Sequence, residues 1–131
     1  MTDLAVRNQI LALEARMREL PQIQIPVKHY FAQGVYAREI FIPKGTILTG
    51  LIHRQSQVNF CLKGDISVAT EEGYRRVVGG ETIVSPAGIK RAAYAHEDTI
   101  WTTVLGTFMT DPSQIEAALT TSLYEELPCP S

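Results

Sequence analysis

A chain of 131 residues with 45% hydrophobic and 20% charged content has the composition of one soluble globular domain, long enough to bury a core without cross-links. A formal net charge of −2, with 12 basic residues spread along the chain, argues against the basic footprint of a nucleic-acid binder. No apolar run approaches the ~20 residues that span a bilayer, and Met1-Thr2-Asp3 lacks the start of a signal peptide. The expectation is a cytoplasmic protein with neither nucleic acid nor membrane as partner. Cys61 and Cys129 are too few for a disulfide framework and read as thiols.

Residues 1–20 read as a helix. Val6, Ile10, Leu13, Met17 and Leu20 recur at steps of four and three, Thr2 or Asp3 can cap the start, and Pro21 ends it. The stripe fits packing on the outside of its own domain or a helix pair across a subunit interface. From Ile23 the pattern turns to β, and residues 23–108 read as a set of short strands. Tyr36 to Ile42, Thr46 to Ile52, Val58 to Leu62, Ile66 to Ala69, Tyr74 to Val78, Thr82 to Val84 and Thr99 to Leu105 are β-prone. Gly-containing turns at close spacing separate them, as in a sandwich or barrel. Asp111-Pro112-Ser113-Gln114 then opens a second helix, expected over 111–126, with Asp111 as N-cap and Pro112 in the first helical position.

The turn residues stand at fixed offsets. Pro43 and Gly45 precede a strand, and Gly45, Leu51, His53, Gln57 and Gly64 form one spaced set. Gly80, Pro86, Gly88 and Arg91 form a second. Leu62-Lys63-Gly64-Asp65, Gly80-Glu81 and Pro86-Ala87-Gly88 supply the turns that set strand register. These two sets resemble the two sequence motifs of the cupin superfamily, over roughly Tyr36 to Gly106. Tyr94 to Trp101 also resembles short single-domain cupin-like proteins carried by bacteriophages. The resemblance implies an all-β fold, a small cupin-type β-barrel (a double-sheet jelly roll) with one helix at each end, in a single domain.

In metal-binding cupins the positions held here by Leu51, His53, Gln57 and Arg91 are usually His, His, Glu and His, and together they hold one divalent ion. Only His53 is retained. An aliphatic, a neutral amide and a fixed cation replace the others, so no metal and no cofactor is expected at these positions. His96, Glu97 and Asp98 are the off-motif residues that an alternative metal site would need.

Strand parity turns His53, Gln57, Asn59 and Cys61 inward, with Leu51 as an apolar wall. The resemblance brings Arg91 from the opposite motif strand. His53, Gln57, Asn59 and Arg91 are a donor-rich set suited to a small polar or anionic molecule, with Tyr94 and Trp101 available for stacking. A second reading is open: Arg91 pairs with Glu81 or Asp98, Gln57 and Asn59 satisfy one another in a plugged barrel, and Trp101 is core. His29 and His96 read as loop histidines, His96 having also the makings of a general base beside Glu97 and Asp98. Three functions are open: a metal-free small-molecule binder acting as a sensor or by sequestering, an enzyme of the isomerase, lyase or oxygenase type that the cupin resemblance implies, and a structural scaffold. No catalytic residue is assigned, and a homodimer is expected, since a striped helix and open sheet edges leave surface to cover.

Overall fold

Helical spacing at the start of the chain produces α1 (Asp3–Met17) in the computed structural model, which describes residues 3–20, 23–70 and 73–121. The helix stops three residues short of the expected end. Glu19 N–H bonds to Arg16 O and Leu20 N–H to Met17 O, so the last turn tightens to i−3 bonds. Ile10 is buried, and the Glu14 carboxylate accepts from Thr49 Oγ1 at 2.6 Å and pairs with Lys90 Nζ at 2.7 Å. The helix therefore lies against its own barrel. Lys90, with 2% of its surface exposed, is covered by it and also donates to Gly50 O.

Alternating apolar and polar residues give the strands β1 (Val27–Ala32), β2 (Val35–Ile42), β3 (Ile47–Thr49), β4 (Ile52–His53) and β5 (Gln57–Lys63). They continue as β6 (Asp65–Thr70), β7 (Gly73–Val78), β8 (Thr82–Ser85), β9 (Arg91–Ala95) and β10 (Thr99–Gly106). After them come α2 (Pro112–Leu119) and β11 (Thr120–Thr121). One antiparallel sheet runs β1-β2-β10-β5-β8 and the second β3-β9-β6-β7, with a small β11-β4 pair beside them. The expected all-β double-sheet barrel with a helix at either end is present.

Two further expected elements differ. The run from Thr46 to Ile52 breaks after Thr49, because Gly50 N–H turns to Arg91 O and Ile52–His53 leaves the sheet to pair with Thr120–Thr121. The second helix ends at Leu119 rather than 126. Thr120 is extended (φ −132°, ψ 162°), with its N–H still on Glu116 O, and β-branched Thr120 and Thr121 continue as a strand. Residues 122–126 and Cys129 lie outside the described residues. The N-cap is as expected, with the Asp111 side chain accepting from Ser113 N–H.

Register places side chains in layers across the first sheet. Tyr36 stands opposite Leu105, Arg38 opposite Thr103, and Ile40 opposite Trp101, with Thr103 in turn opposite Asn59 and Trp101 opposite Cys61. On the second sheet Ala93 stands between Leu48 and Val68, and Ala95 beside Ile66. The apolar base contains Ile42, Ile66, Val77 and Ala95, each buried to 2% or less exposure. At the other end Tyr36 and Leu105 pack against Ile115 of α2. Gly64 makes the tight turn between β5 and β6 at φ +112°, where an added Cβ would meet Asp98 O at 2.6 Å, so no other residue fits there.

Candidate ligand site in the barrel

The barrel is hollow. A cavity of about 560 Å³ runs between the sheets from the layer under α2 down to the aliphatic base. Its middle is polar: Arg38 of β2, Thr103 of β10, His53 of β4 and Arg91 of β9 line it, beside Trp101. Below them the walls are aliphatic, with Ile42, Leu48, Ile66, Val68 and Ala93. Above, Ile115, Glu116 and Leu119 of α2 form the roof. The helix α2 thus lies over one end of the cavity, followed by the β11–β4 pair at His53, while the exposed β1 residues Val27 and His29 also line the cavity and leave it open to solvent.

Arg91 turns into the cavity while Lys90, one residue earlier, turns out to Glu14. The Arg91 guanidinium carbon lies 6.0 Å from the centre of the Trp101 ring. Neither carboxylate proposed as its partner is available: Glu81 pairs with Arg75 at 3.0 Å, and Asp98 accepts from Lys44 N–H. No ion pair joins Arg91 to a carboxylate among the described residues. Burial alone lowers its pKa to about 10, so it remains a cation at neutral pH. Arg91 and Trp101 also line a smaller recess of about 340 Å³ toward β7 and β8, and so form a partition inside the barrel.

His53 is held neutral. Burial, then the guanidinium groups of Arg91 and Arg38, lower its pKa to about 4. Its Nδ1 is buried with no hydrogen-bond partner among the described residues. Tyr36 also lines the cavity, and its hydroxyl lies 2.6 Å from His29 Nδ1. Desolvation raises the Tyr36 pKa, with Arg38 opposing and Glu116 adding to the shift.

Of the six residues singled out from sequence, His53, Arg91 and Trp101 line this cavity, whereas Gln57, Asn59 and Tyr94 do not. Asn59 faces inward and is fully buried, but its amide is consumed by the barrel wall. Its Oδ1 accepts from Thr103 Oγ1 at 2.8 Å and Trp101 Nε1 at 3.3 Å, and its Nδ2 donates to Ser85 Oγ at 2.9 Å. It does not pair with Gln57, which is 5% exposed and whose Oε1 has no partner among the described residues. Tyr94 has the opposite parity to Arg91 and Ala93, so it stands on the outer face, edge-on to His96 at 4.9 Å. His96 Nε2 lies 2.6 Å from Ser67 Oγ and Glu97 lies 3.9 Å from Lys44. His96, Glu97 and Asp98 are therefore not gathered at the cavity.

His29, expected in a loop, lies instead on β1, where pairing with Arg38 of β2 holds it, and it lines the cavity. Two charged lining residues also escaped the sequence reading. Arg38 sits in the apolar phase of β2, with Tyr36, Ile40 and Ile42, and a charge in that phase is the signal that marks it. Glu116 arrives on α2, and nothing local to it indicates that the helix roofs the barrel.

The match with known structures follows this geometry. A cupin 2 conserved barrel domain protein from Leptotrichia buccalis superposes with a TM-score of 0.58 at 11% identity, over 71% of this chain and 46% of that one. The fold is that of the cupins. KdgF from a Halomonas species gives a TM-score of 0.58 at 19% identity, over 71% of this chain and 88% of that one. Ectoine synthase from P. lautus gives 0.61 at 14% identity, over 79% of both chains. No protein-family model matches the sequence, and no curated protein is significantly similar to it.

The metal that many cupins hold does not fit the residues present. The four motif positions contribute one imidazole, from His53, and set against it the Arg91 cation, which repels a divalent ion. Gln57 does not line the cavity, and no three His, Cys, Asp or Glu residues gather as a ligand set among the described residues. No described helix is long and apolar enough to cross a membrane.

Proposed function

We propose that this cupin-fold protein binds a small anionic molecule without a metal, as a sensor or by sequestering it. The observation that carries this reading is Arg91: a cation facing a cavity with no carboxylate beside it among the described residues. Taking a charge out of water is costly unless it is paired, and here burial is the sole cause of its pKa shift. A bound anion supplies the missing partner. Arg38 adds a second guanidinium, and neutral His53 offers a ring nitrogen for a hydrogen bond.

The cavity also weighs against a barrel serving only as a scaffold. About 560 Å³ is within the range of small-ligand pockets, and its mix of aliphatic walls with a few convergent polar groups is typical of them. Thermal melting against phosphate, sulfate, simple carboxylates and nucleotides tests the reading: at least one anion raises the melting temperature in a concentration-dependent way. A melting curve indifferent to every anion contradicts it. The protein is further proposed to act as a homodimer, because all six residues of the edge strand β1 are exposed. A sedimentation mass near 14.5 kDa at micromolar concentration would contradict that.

A further inference from the structure

We infer that the anion taken by this cavity is amphipathic and singly charged: one carboxylate held between Arg91 and Arg38, with an apolar body reaching into the barrel base. This rests on the anion-binding reading above and narrows it to a ligand class.

Charge sets the first limit. Two guanidinium groups, the half-buried Arg91 and the exposed Arg38, share the cavity lining with one carboxylate, the exposed Glu116. A monoanion matches the net charge of these lining groups, with Arg91 as the one set deepest. A phosphate monoester or a dicarboxylate would leave an excess negative charge beside Glu116.

The base sets the second. Directly below Arg91 on β9 is Ala93, flanked by Leu48 and Val68, and beyond them lie Ile66 and Ile42. These side chains offer no donor or acceptor, so a sugar or nucleobase would bury polar edges against hydrocarbon. Apart from the ring nitrogen of His53, which lies beside the guanidinium groups rather than at the base, the side chains that could have read such edges are committed elsewhere. Asn59 is bonded to Ser85, Thr103 and Trp101, and the Arg91 guanidinium lies over the Trp101 ring. An alkyl or aryl-alkyl acid satisfies both ends of the cavity at once. The alanine at position 93 leaves the room for it.

Isothermal titration calorimetry of the full chain with octanoate, butyrate, suberate, octan-1-ol and inorganic phosphate tests the assignment. Octanoate should bind at least tenfold more tightly than butyrate, since each buried methylene is worth roughly a threefold to fourfold gain. Suberate and octan-1-ol should bind at least tenfold more weakly than octanoate. Arg91→Ala should remove most octanoate affinity, and Ala93→Leu, which fills the base, should weaken octanoate while sparing butyrate. Phosphate, suberate or butyrate binding as tightly as octanoate, and depending on Arg91, would overturn the amphipathic assignment while leaving the anion site intact. Silence with octanoate in a protein stabilised by another anion would have the same meaning. Octanoate binding unchanged by Arg91→Ala would overturn both readings, as would the absence of binding by any anion.

Discussion

Trp101 joins the two halves of the site, with Asn59 on one side and Arg91 on the other. Its Nε1 donates to Asn59 Oδ1 at 3.3 Å, while Arg91 lies over the ring at 6.0 Å from its centre. The ring is thus fixed in the plane that lets it face the guanidinium. A buried amide in the barrel wall positions an aromatic face, and that face shelters the cation exposed to the cavity.

Asn59 is therefore expected to be a stability residue rather than a ligand contact. Asn59→Leu removes the acceptor of Thr103 and Trp101 and the donor to Ser85, all in the interior. The cost should be about 2–4 kcal/mol in urea denaturation. At temperatures where the variant is folded, anion affinity should fall by much less than in Arg91→Ala. A neutral effect on stability would remove Asn59 from this role.

His53 gives the fold a defined acid sensitivity. Its folded pKa of about 4 lies below the ordinary value of 6.5, so between those values the unfolded chain takes up a proton that the folded protein refuses. Stability from this group is complete above pH 6.5 and is lost as the pH falls through about 4, by on the order of 2–3 kcal/mol. The carboxylates of Asp65, bonded to Arg76, and of Glu81, bonded to Val78 N–H and Arg75, have lowered pKa values, so their contribution is lost only at more acidic pH. His53→Gln should flatten the stability profile between pH 6.5 and 4. A profile identical to that of the unaltered protein would show that His53 does not control it.

The pair that seats α1 is also open to a direct measurement. Glu14 accepts from Thr49 and meets Lys90, whose side chain is 2% exposed. Glu14→Ala should cost about 2–3 kcal/mol, and adding Lys90→Met should recover much of it, since an apolar side chain of similar length suits the buried position. Additive single effects would mean that the two groups are not coupled.

The fold was legible because its information is concentrated in turns. Gly45, Gly64, Gly80 and Gly88 all take positive φ, where glycine is favoured, and their spacing fixes strand register. Strand β9 was harder to see. Arg91-Ala92-Ala93-Tyr94-Ala95 has the alanine content of a helix, and it is held in the barrel by pairing with β3 and β6. Parity within β5 made the inward set Gln57, Asn59 and Cys61 legible, and motif spacing marked His53 and Arg91. The site was illegible where partners come from distant strands. Asn59 meets Ser85 through the β5–β8 register and Thr103 through the β5–β10 register, neither of which is written in the residues around Asn59. The roof formed by α2 depends on Ile115 meeting Tyr36 and Leu105, a contact between segments far apart in sequence.

The central claim is that Arg91 awaits an anion rather than supporting the barrel, and one paired measurement on Arg91→Ala tests it: ligand-free melting temperature and affinity for the stabilising anion. With no carboxylate partner among the described residues, removing this half-buried cation should leave the melting temperature unchanged or raise it. Affinity should fall about tenfold to a hundredfold, the loss of a charge-assisted hydrogen bond of about 1.5–3 kcal/mol, with Arg91→Lys restoring only part. A sharp fall in melting temperature without ligand, together with unchanged affinity, would contradict the account.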